Sequence, residues 1–324
     1  MLTFILRLLA IGLIVTAVLL LAIYLLDINQ AYERVRGKST IIPSPYGDIE
    51  YTEGGTGPDV LVIHGAGGGY DQGELLGQAL LGDRFHRITP SRFGYLRSTF
   101  HDGATFEDQA HAYATLLDHL GIQKVAVVAF SAGGPSAELF ALLHPERVSS
   151  LTLVSCTTTA LSSTEEQKQS DQKAQALLSI VKYDLPYWIF IRLYEKQFMG
   201  LMGVNDTVIA GLTLEQRGIV ERYIAYMHPA SLRAAGAAFD YNAPLVSGDR
   251  LAGIQAPTLI IHAADDTLQP YDHAAFATST ISNARLMRFE RGGHFLFVIE
   301  QPVIRTSAQK HILDNVGELH TPSQ

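Results

Sequence analysis

From Leu8 to Leu26 the chain carries no charge and a single glycine, Gly12. At about 1.5 Å of rise per residue, such a stretch nearly matches a hydrocarbon core of roughly 30 Å, so the pattern predicts a membrane-spanning helix. A secretory signal peptide is the rival, but its apolar region is shorter and ends at a small-x-small cleavage site. No such site follows Leu26, and nine uncharged residues follow Val15-Thr16-Ala17, a poor place for a peptidase. Arg7 precedes the block while Arg34, Arg36 and Lys38 follow it, and this bias favours the remainder of the chain on the cytoplasmic side. Insertion as a simple signal anchor places it outside instead, so the side stays open.

Past residue 26 the pattern changes. Residues 27–39 read as a short polar connector ending at Gly37-Lys38-Ser39, after which Thr40–Ile42 and Asp48–Thr52, parted by a Pro/Gly turn, predict an antiparallel pair at a sheet edge. Short apolar runs then alternate with helical stretches: Val60–Ile63, Arg87–Thr89, Lys124–Ala129, Leu151–Ser155, Thr258–Ile261 and Arg285–Phe289. Continuous Val/Ile/Leu runs separated by helices predict a mostly parallel sheet covered on both faces. Ala110–Leu120, with Leu116, Leu117 and Leu120 at helical spacing, is one crossover.

Between residues 157 and 246 the alternation lapses. The periodicity there is helical, the opening from Ser162 to Lys173 is polar, and aromatics and methionines recur, among them Tyr187, Trp188, Tyr223 and Met227. This stretch reads as a helical cap inserted between two strands of the main sheet. Most of its aromatics are expected to bury the cap's own core, with a few facing a pocket. The expected division is a span over 1–26, a connector over 27–39, a core over 40–156 and 247–317, and a cap over 157–246.

Hydrophobic residues make up 47% of the 324 and charged residues 17%, which predicts a packed core. The net charge of -8 and the absence of a basic stripe argue against nucleic acid as a partner. The lone cysteine, Cys156, rules out an intrachain disulfide framework and a multi-cysteine zinc site, and at a strand end it reads as a buried structural thiol.

Candidate chemistry begins at Ser131. The apolar strand up to Phe130 stops at Ser131-Ala132-Gly133-Gly134, and helix-forming sequence follows directly. A strand-to-helix turn this tight forces the serine into a strained backbone conformation, so the positions two before and two after must be small; Ala129 and Gly133 are. The bland alternative makes Ser131 a helix N-cap with Pro135 in the first turn. A serine nucleophile needs a base and a group that orients the base. His294 stands in Arg291-Gly292-Gly293-His294-Phe295, a glycine-permissive loop directly after the last strand, from which an imidazole can reach across the carboxyl ends of the strands. A carboxylate candidate follows Thr258–Ile261 in His262-Ala263-Ala264-Asp265-Asp266-Thr267-Leu268-Gln269-Pro270.

The order Ser131, Asp266, His294 is the serine, acid, histidine order of the α/β-hydrolases. From about Thr40 to His311 the chain resembles an α/β-hydrolase-fold enzyme of the capped family that includes esterases, lactonases, carbon–carbon bond hydrolases and cofactor-free haloperoxidases. That family places an acid four positions before a proline, which matches Asp266 and Pro270 and leaves Asp265 as a capping or loop residue. The run His64-Gly65-Ala66-Gly67-Gly68-Gly69-Tyr70 is similar to its oxyanion loop, and the resemblance implies the backbone N–H groups of Ala66 and Ala132 as the oxyanion hole. A phosphate-binding loop is the rival there, but the Lys-Ser/Thr of a P-loop and the Gly-x-Gly-x-x-Gly spacing are both missing. His64, Arg92 and His262 read as supports.

The resemblance implies a serine hydrolase acting on a carboxylic ester or related acyl substrate, with no organic cofactor and no metal, and the apolar segment from Leu8 to Leu26 makes it membrane-anchored. A lipophilic small-molecule ester is the expected partner. The alternatives are a cofactor-free perhydrolase, haloperoxidase or lyase on the same fold, and a noncatalytic ligand-binding module.

Overall fold

The computed structural model describes residues 1–158, 182–245 and 247–316; the polar stretch Ser162 to Lys173 lies outside them. Eight strands form one sheet in the order β1-β2-β4-β3-β5-β6-β7-β8. They are β1 (Thr40–Ile42), β2 (Ile49–Gly54), β3 (Asp59–Ile63), β4 (His86–Pro90), β5 (Val125–Phe130), β6 (Val148–Val154), β7 (Thr258–Ala263) and β8 (Ala284–Phe289). β2 runs antiparallel to β1 and β4, and all the other pairs are parallel. The edge pair and the six later strands therefore stand where the apolar runs place them, with β6 starting three residues before the expected Leu151.

Strand periodicity divides the core in two. Leu61, Ile63, Val127 and Ala129 belong to one buried cluster with α3 (Phe106–His119) and α4 (Gly134–Leu143). Val60, Val62, Ala126, Val128 and Phe130 belong to the other, with α2 (Tyr70–Leu80). Successive side chains of a strand point to opposite faces, so an unbroken apolar run requires cover on both. Ile219, Val220, Tyr223 and Ile224, from the segment between β6 and β7, join the second cluster. That segment folds as α5 (Asp184–Leu201), α6 (Asp206–Gly211), α7 (Leu214–Ala225) and α8 (Ala234–Asn242), and no strand occurs among its described residues. After it come α9 (Asp272–Thr280), α10 (Leu296–Ile299) and α11 (Gln301–Asn315).

The first helix, α1, spans Leu2–Val35 and is long and apolar enough to cross a membrane. It does not stop at Leu26. The expected connector is helical through Val35, because its polar residues fall on a face that finds partners. Trp188 Nε1–H donates to Asp27 at 2.8 Å, and Tyr32 donates to Asp184 at 2.9 Å. Tyr70 donates to the Val35 carbonyl at 3.1 Å, and Ala31 and Val35 are buried.

Candidate active site

Chain direction in the sheet reverses at β3: the chain moves from β3 outward to β4, then crosses back to β5 on the other side. Loops that leave two neighbouring parallel strands in opposite directions open a crevice at the strands' carboxyl ends. The loop after β3 and the turn after β5 flank that crevice, and the loops after β7 and β8 reach it from the side.

Ser131 has φ 52°, a left-handed conformation that costs a non-glycine residue on the order of 1–3 kcal/mol. The turn is held by its surroundings. The Ser131 carbonyl accepts the Thr157 N–H at 3.1 Å and also the Gly134 N–H. A methyl on Gly133 would lie 2.8 Å from the His64 carbonyl oxygen and 3.0 Å from that of Ile63, so this position admits only glycine without displacement. The N-cap alternative does not describe the structure, since the serine hydroxyl bonds to His294.

Ser131, His294 and Asp266, separate in sequence, come together. An ionised carboxylate only accepts hydrogen bonds, which assigns the His294 proton to Nδ1. Nδ1–H then donates to Asp266 Oδ2 at 2.9 Å, and Nε2 accepts the Ser131 hydroxyl at 3.0 Å. All three residues are buried. Asp266 Oδ1 accepts the N–H groups of Leu268 and Gln269, each at 2.9 Å. Burial pushes the Asp266 carboxyl up, but the hydrogen bond and electrostatic attraction of the His294 ring, with the Gln269 N–H, outweigh it and hold the group below its ordinary value. Asp265 serves the neighbouring loop by accepting the Gly293 N–H at 2.8 Å. His262 is buried and donates to the Gln269 carbonyl at 2.8 Å, and burial lowers its pKa, so it braces the acid's loop as a neutral ring.

Ala132 follows the serine, and Ala66 follows Gly65, where an added methyl would stand 3.0 Å from Ser131 Cβ. The loop carrying Ala66 is pinned along its length. His64 Nε2 accepts the Arg92 N–H at 3.0 Å, so Nδ1–H donates to the Gly65 carbonyl at 2.7 Å. Burial, with Arg92 beside it, drives the His64 pKa well down, as suits a neutral support. The Gly67 N–H donates to the Tyr95 hydroxyl at 3.3 Å, and the Gly68 carbonyl accepts from Arg233.

Two carboxylates that sequence reasoning passed over organise this support. Asp240 on α8 accepts Arg92 at 2.5 and 2.6 Å and the Tyr95 hydroxyl at 2.6 Å, while Arg92 also donates to the Ala132 carbonyl at 3.2 Å. Asp71 takes two bonds from Arg233, at 3.2 and 2.8 Å, and one from Arg34 of α1 at 3.1 Å. One signal was available: Asp240 is the single charge in the helix Ala-Ala-Gly-Ala-Ala-Phe-Asp-Tyr-Asn. Residues between β6 and β7 also touch the loops directly. A methyl on Gly67 would meet Met227 Cε at 2.6 Å. Gly203, at φ 83°, and Gly293, at φ 54°, approach so closely that a methyl on the first would stand 2.6 Å from the second's Cα. The Phe295 N–H donates to the Met202 carbonyl at 2.9 Å, fixing the histidine loop from above.

This arrangement can activate a hydroxyl, and its ancestry agrees. Residues 58–301 match the α/β hydrolase fold family. The uncharacterized hydrolase YcgS of Bacillus subtilis (strain 168) is 30% identical over 259 residues, 78% of this chain and 90% of that protein. A 2-hydroxy-6-oxononadienedioate/2-hydroxy-6-oxononatrienedioate hydrolase of Paraburkholderia xenovorans (strain LB400) is 28% identical over 257 residues, 76% of this chain and 84% of that one. Among solved structures, a bacterial membrane phospholipase A shares the fold with a TM-score of 0.62 at 21% identity, covering 97% of this chain and 98% of that one. The chain belongs to the α/β-hydrolase fold family and is a hydrolase.

Proposed function

We propose that this hydrolase is a membrane-anchored serine esterase that cleaves a carboxylic ester or related acyl substrate through an acyl-enzyme. The observation that carries the reading is the continuous hydrogen-bonded chain from Ser131 through His294 to Asp266. Ser131 Oγ attacks the carbonyl carbon as its proton passes to His294 Nε2, and Asp266 stabilises the imidazolium so formed. The N–H groups of Ala66 and Ala132 receive the oxyanion. Collapse expels the alcohol, protonated by His294, and water repeats the sequence in reverse roles to free the acid. In this reading residues 40–156 and 247–317 are the catalytic core, 157–246 the cap, and 1–26 the membrane span. The free part of α1, with all of its described side chains exposed up to Ile23, supports the anchor: at about 1.5 Å per residue it covers roughly 33 Å.

Hydrolysis of a carbon–carbon bond is the second reading, favoured by the activity named for the Paraburkholderia relative. A dioate substrate is an anion and calls for a cation to hold it. Among the described residues, the two buried arginines beside the site are already engaged, Arg92 by Asp240 and Arg233 by Asp71. That pairing favours a neutral ester. Stopped-flow mixing of the full chain in detergent with a 4-nitrophenyl ester tests the choice. A burst of one 4-nitrophenol per protein, absent in Ser131→Ala, is expected. No burst or steady turnover with any acyl length, alongside cleavage of a vinylogous 1,5-diketone acid, overturns it.

A further inference from the structure

α1 has two parts. From Tyr24 onward one face is covered: Tyr24 meets the Trp188 ring edge-on at 5.5 Å, Asp27 holds Trp188 and Arg192, and Tyr32 holds Asp184. On α5 these partners, Asp184, Trp188 and Arg192, recur every four residues and so form one stripe. Going from Asp184 to Trp188 along α5 leads from Tyr32 back to Tyr24 along α1, toward the apolar span. The residues one position later, Leu185, Ile189 and Leu193, make a second stripe turned by about 100° from the first. This stripe is exposed, with Leu193 67% and Ile189 43% accessible. Helical geometry holds along it, because the break in α5 comes just after, at Tyr194 with φ -126°.

We propose that this stripe is a second membrane-contact surface, seated at the headgroup–acyl boundary of the leaflet that α1 enters. The inference rests on the anchor reading above. Its occupant follows from continuity: the stripe adjoins a helix whose bare apolar part begins where α5 meets it, and it descends toward that part. The flanking residues suit that depth. Tyr183 and Tyr194, both at least half exposed, are amphipathic rings of the kind enriched at bilayer interfaces. Arg192 neutralises Asp27 at the same level, so neither charge enters the interface alone. The structure thus lays one edge of the cap on the membrane, while other cap residues, Arg233 and Asp240, brace the loop and turn around Ser131.

The test uses the full chain in phosphatidylcholine–phosphatidylglycerol vesicles. Cysteine is placed at position 189, 193 or, for reference, 313 by Ile189→Cys, Leu193→Cys and Leu313→Cys, and each is labelled with an environment-sensitive fluorophore. Leu313 is an exposed leucine of α11, and native Cys156 is buried. Blue-shifted emission at 189 and 193, quenched by a lipid carrying a doxyl group near its headgroup, with the label at 313 unquenched, is expected. Labels at 189 and 193 quenched no more than at 313, in protein that withstands an alkaline carbonate wash, overturn the surface and leave the anchor standing. A blue shift that needs high protein-to-lipid ratio and ignores the quencher identifies a second copy of the chain as the occupant and also overturns it. Release of the unlabelled chain by carbonate overturns the anchor reading and this inference together.

Discussion

Glu138 lies seven residues after Ser131, on α4, 1% exposed. Oε1 accepts the Thr158 hydroxyl at 2.6 Å, and Oε2 has no hydrogen-bond partner among the described residues. Burial pushes this carboxyl up to about 8, against the Thr158 bond, which works to lower it. The folded chain therefore keeps a proton at neutral pH that the unfolded chain has released. With a raised folded value, the contribution to stability is complete below the ordinary carboxyl value of 4.5 and is lost as pH climbs through about 8. At 1.36 kcal/mol per pH unit, the whole interval is worth roughly 5 kcal/mol, or about 1.4 kcal/mol for each unit crossed. Glu138→Gln keeps the size and the acceptor for Thr158 but has no proton to lose. Its own buried amide group imposes an offset that does not vary with pH. Urea unfolding of both proteins in detergent, followed by circular dichroism from about pH 5.5 to about pH 8.5, reads the difference directly. All other titrations are common to the pair and cancel. The variant is expected to gain on the wild type steadily up to about pH 8 and then level off. A difference that stays constant across the range refutes the assignment of a neutral, buried Glu138.

Three further outcomes follow from the site's supports. Asp240→Ala strips the fully buried Arg92 guanidinium of its carboxylate and frees the Tyr95 hydroxyl, and is expected to cost about 3–5 kcal/mol in urea unfolding as well as ester turnover. Arg34→Ala removes the bond to Asp71 but leaves Arg233 in place, so a smaller loss of about 1–3 kcal/mol is expected by the same assay. Asp266→Asn keeps the shape of the triad yet favours the wrong tautomer of His294, and kcat for a 4-nitrophenyl ester is expected to fall by about 10⁴ with KM little changed.

Much of this organisation is legible in the sequence because it is local. β3, β5, β6 and β7 carry apolar runs, whereas β4 and β8 are interrupted by arginines, and the strand-to-helix turn announces itself through the small residues around Ser131, whose φ is positive as the tight turn requires. Asp266 and His294 are readable for the same reason, each standing in a loop just past a strand. What escaped depends on distant partners. Hydropathy falls after Leu26, which reads as the end of a helix, yet Asp27 and Tyr32 find Trp188 and Asp184 more than 150 residues away and keep the helix going. Arg92 was expected to be structural, but nothing in its neighbourhood points to Asp240, which lies 148 residues on. Asp71 and Arg233 are likewise ordinary surface residues by composition, until folding closes them under the loop that carries Ala66.

The central claim is that Ser131 is the nucleophile. Incubating the full chain in native membranes with a fluorophosphonate and mapping the modified peptide by mass spectrometry tests it most directly. One adduct per chain, on Ser131, lost together with ester turnover in Ser131→Ala and strongly slowed in His294→Ala, is the expected result. Turnover that persists in Ser131→Ala, or an adduct on another residue that abolishes activity, contradicts it.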